Sequence, residues 1–229
     1  YDSFPNNARS KSDIAEVTAD LSDRGISLPT VKKYSVFKPD DPFYKAGYPL
    51  YKDGEHVANK YRLAGDKKGF GTDGETSKLQ LFGQNLFPPG SAKAITVTEG
   101  YEDAMAAYEL QGSRYPCVSI HSVSTARRDC ANNFDYLNSF KEIILCFDKD
   151  EAKLRPDGTK FYPGQEAAQA VASIFPPKKV RILTLQKAKD ANDYLKLGLR
   201  KEFTEEWWKA PVWTPQGIRL GKDLWDEIR

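Results

Sequence analysis

Hydrophobic positions along the chain follow two grammars that change near residue 93. Before it, apolar residues come in short, broken groups. A helix-like stretch over 12–21 is ended by Gly25 and Pro29, and an apolar-rich run over 31–37 leads into a Pro/Asp loop over 38–42. Runs over 48–51 and 57–63 flank Lys52-Asp53-Gly54-Glu55, and Asp-Gly between two β-prone runs predicts a hairpin. Residues 64–78, rich in Gly, Lys, Asp and Thr, read as a loop. From residue 93 onward, apolar runs over 94–98, 117–120, 142–147 and 180–185 predict strands. Helical patterns over 102–111, 125–140 and 165–175 separate them, and the chain after Asp190 turns helical. Strands alternating with helices imply βαβ units and a parallel sheet, which places ligand sites beyond the carboxyl ends of its strands. A small α+β unit over 1–92 is therefore expected before an α/β unit over 93–210. Residues 211–229 read as a linker that ends in an amphipathic helix from 217 to 229.

Composition narrows this picture. The 229 residues are 40% hydrophobic and 29% charged, enough for a sizeable core. No apolar run approaches membrane-spanning length, and the first residues lack a signal-peptide pattern. The chain does not begin with Met, which suggests a fragment or processed form. Three cysteines without a C-x-x-C pair, and two histidines neither of which lies near a cysteine pair, argue against a disulfide scaffold or a Cys/His zinc site, and suit a reducing compartment. A net charge of +2 does not by itself mark a nucleic-acid binder.

Acidic residues stand where the strands end. Glu99-Gly100 follows the first strand of the second unit, with Asp103 in the first turn of the next helix. Gly100 is expected to permit a tight turn. Asp148 and Asp150 follow the most hydrophobic strand and, two apart in extended chain, point the same way. Asp190-Ala191-Asn192-Asp193 follows the last strand. Taken alone, each has an ordinary reading as a turn, a solvated loop or a helix cap. Together at one sheet edge, the carboxylates would repel unless a cation neutralised them. Oxygen-only ligands suit Mg²⁺ or Mn²⁺, the ions of phosphoryl and nucleotidyl transfer.

These residues carry a resemblance. Glu99-Gly100 followed by Asp148-Lys149-Asp150 is similar to the signature of the TOPRIM domain of topoisomerases and primases. The segments Val97-Thr98-Glu99-Gly100-Tyr101-Glu102-Asp103-Ala104, Tyr115-Pro116-Cys117-Val118-Ser119-Ile120, Ile144-Leu145-Cys146-Phe147-Asp148-Lys149-Asp150-Glu151, Lys189-Asp190-Ala191-Asn192 and Pro211-Val212-Trp213-Thr214-Pro215 resemble the primase half of T-seven-type bacteriophage primase-helicases. The resemblance implies an α/β TOPRIM fold, a central parallel sheet flanked by helices, preceded by a small α+β subdomain. It implies a DNA primase making short RNA primers on a single-stranded DNA template from ribonucleoside triphosphates, with two Mg²⁺ or Mn²⁺ ions. Glu99, Asp148, Asp150 and Asp190 would be the metal ligands. Glu99, Asp103, Lys60 and Arg62 would take catalytic roles, Glu99 as an alternative general base toward the primer 3′-hydroxyl. Lys60 and Arg62, with Lys67 and Lys68, would hold nucleotide or template phosphates. The implied partners are zinc-binding and helicase domains outside this chain, with a replication polymerase as a further one and no membrane. The implied setting is the cytoplasm of an infected bacterial host, with an organellar relative as runner-up. The same metal chemistry would also serve a TOPRIM nuclease, and the same fold a non-catalytic single-strand-binding module of a replicative helicase.

Two departures from the family pattern stand out. Residues 152–161, containing Arg155-Pro156-Asp157-Gly158, look like an inserted surface hairpin that would offer Lys153, Arg155 and Lys160 to nucleic acid. His121-Ser122-Val123 replaces a glycine-bearing loop, leaving His121 either a substrate contact or an ordinary loop residue.

Overall fold

A computed structural model describes residues 17–65 and 69–215. Strands β1 (Tyr44–Lys52) and β2 (Glu55–Leu63) form the expected hairpin, with Asp53 and Gly54 both in the left-handed region (φ 51° and 81°). A third antiparallel strand, β3 (Phe70–Gly74), pairs with β2 inside the segment expected to be loop. It is an edge strand of alternating partial exposure, with Gly71 and Gly74 in place of β-branched residues. That composition hides it from a propensity reading. Helix α1 (Leu28–Lys33) opens on Pro29 and precedes the sheet. Residues 17–21 are not helical as expected. Thr18 bridges to Phe37, and Ala19 and Leu21 are buried. The remainder of that expectation, 12–16, and the amphipathic segment over 217–229 lie outside the described residues.

The second unit matches its pattern closely. Strands β4 (Ala94–Thr98), β5 (Cys117–Ser119), β6 (Glu142–Cys146) and β9 (Val180–Ile182) form a parallel sheet in the order β5-β4-β6-β9. The short hairpin β7 (Lys153–Leu154) and β8 (Lys160–Phe161) occupies the expected insertion. Every residue of β4, and all of β6 but its first, is buried, because helices cover both faces of a parallel sheet. Ile95, Val97, Ile143 and Leu145 share one core with Leu137, Phe140 and Val171, and that core continues into Tyr48 and Leu50 of β1. Ala94, Ile144 and Cys146 share the other with Tyr194, Phe203 and Trp207. Helix α2 (Tyr101–Leu110) contributes to both cores. The hydroxyl of Thr96, fully buried in β4, accepts hydrogen bonds from Trp207 Nε1 and Gln111 Nε2, both at 3.0 Å, which offsets its desolvation.

The helix expected over 125–140 is two helices, α3 (Ala126–Asn132) and α4 (Phe134–Asn138). Asn133 divides them, its amide donating to the carbonyls of Leu79 and Asp129. Helices α5 (Pro163–Ala172), α6 (Ala191–Lys196) and α7 (Arg200–Lys209) complete the layers. Among the described residues, no helix is long and apolar enough to cross a membrane.

Candidate metal centre

The parallel register of β4 with β6, Thr98 opposite Cys146, brings Glu99 and the Asp148–Asp150 segment out at the same sheet edge. The Thr98 hydroxyl donates to the Gly100 carbonyl (2.9 Å), shaping the turn that presents Glu99. Gly100 itself has ordinary extended geometry (φ −105°, ψ 152°), so its glycine does not serve a tight turn as expected. It serves space. A Cβ there would come within 2.4 Å of Asp103 Oδ2, and Asp103 is held in place by the Asn192 amide (2.9 Å).

Five half-buried carboxylates gather here. Glu99 is pushed up to about 7 by burial and by the charges of Asp148 and Asp150. Asp103 is pushed well above the usual carboxylate range by burial, then by Asp190 and Asp148. Asp148 is also raised by burial, against the pull of Lys189, whose Nζ lies 2.9 Å from Asp148 Oδ2. Asp148 is therefore common to two groups, one with Glu99 and Asp150, the other with Asp103 and Asp190. Asp150 Oδ2 accepts from the Gly164 amide (2.8 Å), and Asp190 Oδ1 caps α6 by accepting from the Asp193 amide (2.7 Å).

The donor set suits a hard cation. Its ligand atoms are all oxygens, and Glu99 Oε2 is buried without a hydrogen-bond partner. Among the described residues, however, no three Asp, Glu, His or Cys side chains already stand in ligating geometry. Lys189, Gly164, Asn192 and Asp193 each hold one carboxylate separately. Of these, Lys189 was visible beside Asp190 in sequence but gave no sign of its partner. Gly164 was hidden behind the inserted hairpin. A Cβ at Gly164 would lie 2.7 Å from the Asp148 carbonyl oxygen, 3.1 Å from Glu99 Oε2 and 3.2 Å from Asp150 Oδ2. Gly164→Ala is accordingly expected to cost about 1–3 kcal/mol of stability, as overpacking does, in urea unfolding. It should also weaken Mn²⁺ binding measured by calorimetry.

The basic strand β2 is engaged elsewhere. Lys60 and Arg62 lie on one face of β2, as expected from their alternation, but their partners differ. Arg62 pairs with Glu102 on α2, which also accepts from the Tyr48 hydroxyl (2.7 Å). Glu102 is thus a member of the site that sequence reasoning passed over. Lys60 Nζ has no carboxylate partner among the described residues. It donates to the His121 carbonyl (2.9 Å) and sits 4.6 and 4.5 Å from the ring centres of Phe70 and Tyr101, and burial lowers its pKa. It borders a cleft of about 700 Å³ together with Thr72, His121, Ser122, Arg128 and Asn132. The acids are not on the wall of this cleft. Tyr101, two residues after Glu99, lies on the wall and joins the two regions. His121 takes the ordinary role. The Tyr101 hydroxyl lies 2.6 Å from Nδ1, and Nε2 lies 2.9 Å from the Gln80 carbonyl oxygen, so Nε2 carries the proton and the ring is a structural tie. Lys67 and Lys68 lie outside the described residues.

Residues 96–195 match the Toprim-like family. The chain is 36% identical over 215 residues to the DNA helicase/primase of Enterobacteria phage T3, covering 92% of this chain and 35% of that protein. It thus spans about a third of that relative. Among solved structures, bacteriophage T7 primase domains seen with the lagging-strand DNA polymerase, an RNA/DNA hybrid and dTTP superpose with a TM-score of 0.70 at 34% identity, covering 86% of this chain and 93% of theirs. The primase fragment of the bacteriophage T7 primase-helicase gives 0.68 at 34% identity, covering 83% and 74%. The Aquifex aeolicus primase, at 14% identity and a TM-score of 0.63, shares the fold. Acids at the carboxyl edge of a four-stranded parallel sheet, preceded in the chain by a three-stranded antiparallel sheet, accord with a Toprim-type primase fold. The chain belongs to the family of T7-type phage primase-helicases and corresponds to their primase part. The homologues are DNA primases, RNA polymerases of the nucleotidyltransferase class, and Toprim primases use divalent metals.

Proposed function

We propose that this chain synthesises short RNA primers on single-stranded DNA, joining ribonucleoside triphosphates with two Mg²⁺ or Mn²⁺ ions. The observation that carries this reading is the gathering of five carboxylates around Asp148 at one sheet edge, with Glu99 Oε2 left unpartnered. Glu99, Asp148, Asp150 and Asp190 would hold the cations, which supply activation of an attacking hydroxyl and neutralisation of the leaving pyrophosphate. Asp103, locked by the Asn192 amide, keeps the first turn of α2 against this edge. In the alternative arrangement, with Asp148, Asp150 and Asp190 holding the cations, Glu99 accepts the proton of a primer 3′-hydroxyl at Oε2. Lys60, with one of its three donors used on a carbonyl, has two left for a phosphate oxygen. Arg62, paired with Glu102, and Lys67 and Lys68 would add further contacts to nucleotide or template phosphates. In this reading 1–92 and 93–210 are the two primase subdomains and 211–229 leads toward a helicase domain. Zinc-binding and helicase domains and a replication polymerase are its partners, in the cytoplasm of an infected bacterium.

The test is template-directed dinucleotide synthesis by the 229-residue chain with Mg²⁺ or Mn²⁺, with a phage zinc-binding module supplied in trans. No product in its presence sinks the reading. Cleavage of labelled DNA without nucleotides would replace it with a nuclease. Lys60→Met is expected to raise the KM for nucleotide about 10- to 100-fold, the equivalent of losing one hydrogen bond to a charged group. An unchanged KM removes Lys60 from the phosphate site.

A further inference from the structure

The inserted hairpin is built more firmly than a surface loop needs. Arg155 N donates to the Thr159 carbonyl and Gly158 N to the Arg155 carbonyl, while Asp157 Oδ1 accepts from both the amide and the hydroxyl of Thr159. The Arg155 guanidinium lies over the Phe161 ring at 5.0 Å and reaches both Glu166 oxygens on α5, at 2.8 and 2.6 Å. The side of the hairpin that carries Arg155 and Phe161 is thereby tied to α5. The hairpin's two stems begin and end in the metal centre. Asp150 precedes it, and Gly164, whose amide holds Asp150 Oδ2, follows it. The strands therefore form a braced arm standing on the rim of the acidic site.

The other face is open. Register places Lys160 opposite Leu154, and Tyr162, two residues beyond Lys160 in extended backbone, continues the same face. Leu154 is 68% exposed and Tyr162 44%. Lys160 is not ion-paired within the described residues, whereas Lys153, opposite Phe161, belongs to the braced side. An apolar residue, an open aromatic ring and an unpaired lysine on one face are the chemistry that binds unpaired nucleic acid, with bases stacked on the ring and a phosphate held by the ammonium group. A protein partner would be served by Leu154 but gives no reason for an unpaired lysine beside an exposed ring.

We infer that the Leu154–Lys160–Tyr162 face is a binding surface for the single-stranded template next to the metal centre. This rests on the reading of that centre as a nucleotidyl-transfer site. The arm holds the strand by Tyr162 stacking and by a phosphate contact at Lys160, and its brace through Arg155 fixes the distance between those contacts and Asp150.

The experiment is fluorescence anisotropy of a labelled single-stranded oligonucleotide against the full chain at several salt concentrations, without nucleotide. The variant Lys160→Glu is expected to bind at least about threefold more weakly and to flatten the log–log salt slope by about 0.7, for one phosphate no longer neutralised. Tyr162→Ala is expected to lose about 5- to 100-fold in affinity, and Tyr162→Phe to restore it, since stacking needs the ring alone. Lys201→Glu, an equal charge reversal on exposed α7, should leave the slope as in wild type. Wild-type affinity and slope in Lys160→Glu, or no binding by wild type at low salt, overturns the inference and leaves the face to a protein partner. Dinucleotide synthesis by wild type is scored separately. Weakened binding in the variants with no synthesis by wild type sinks the functional reading alone. Synthesis by wild type with unaltered binding in the variants sinks the arm alone.

Discussion

Asp148→Asn is expected to leave less than about 1% of wild-type primer synthesis, a loss beyond the 10- to 100-fold typical of outer-shell metal partners. The reason lies in its position. Glu99 and Asp150 form one group with Asp148, and Asp103 and Asp190 the other, so the charge of Asp148 acts on both. The amide that replaces the carboxylate preserves its shape and can still accept from Lys189 Nζ through its oxygen, so the loss should appear as chemistry rather than unfolding. Thermal unfolding should stay cooperative, and Mn²⁺ titration should show weakened binding. Asp150→Asn should lose synthesis too, but its amide oxygen can still accept from the Gly164 N–H, so its fold is disturbed least. Near-normal synthesis in both variants would remove the Asp-x-Asp pair from the site.

Much of this site was legible because its scaffold is a continuous apolar signal. The runs that became β4 and β6 are buried on both faces, and a strand so hydrophobic must end abruptly where its acids begin. Glu99, Asp148 and Asp190 could therefore be placed at one edge from pattern alone. The described residues gave less away where tertiary contacts decide. β3 carries two glycines and no apolar alternation, and it exists because β2 offers it a partner. Asn133 splits a helix through a hydrogen bond to Leu79, 54 residues away. The alternation of Lys60 and Arg62 was readable, but not that Glu102 would take Arg62 while Lys60 kept no acidic partner among the described residues. Local chemistry fixes which residues face a site. Their partners depend on neighbours far along the chain, and those choices leave Lys60 on a carbonyl while Arg62 is bound to Glu102.

The protein stripped of divalent ions is expected to lose stability as pH rises from about 4.5 to about 7, and added Mg²⁺ or Mn²⁺ to restore it. The sign follows from Glu99. Its carboxyl titrates near 7 in the folded chain against 4.5 ordinarily, because burial and then Asp148 and Asp150 disfavour its charge. Between those values the folded state keeps a proton that the unfolded state has released, so each rise in pH favours unfolding. The full displacement corresponds to on the order of 3 kcal/mol, and partial contact with water trims this to about 2 kcal/mol. Asp103, raised by burial and by Asp190 and Asp148, acts in the same direction. A divalent cation reverses the balance because it binds the deprotonated, folded cluster. At a hundred times its Kd it adds about 2.7 kcal/mol, or roughly 5–10 °C in Tm for a chain of this size. The same ion should stabilise far less near pH 5, where protons compete for the carboxylates. Glu99→Gln should flatten the pH dependence of the metal-free protein, and Asp103→Asn should raise its Tm near pH 8. Urea unfolding from pH 4.5 to 8 in chelator, repeated with metal, measures all of this. A flat profile in chelator, or a metal effect equal at both ends, would mean that these carboxylates are not held together by the fold in wait for a cation.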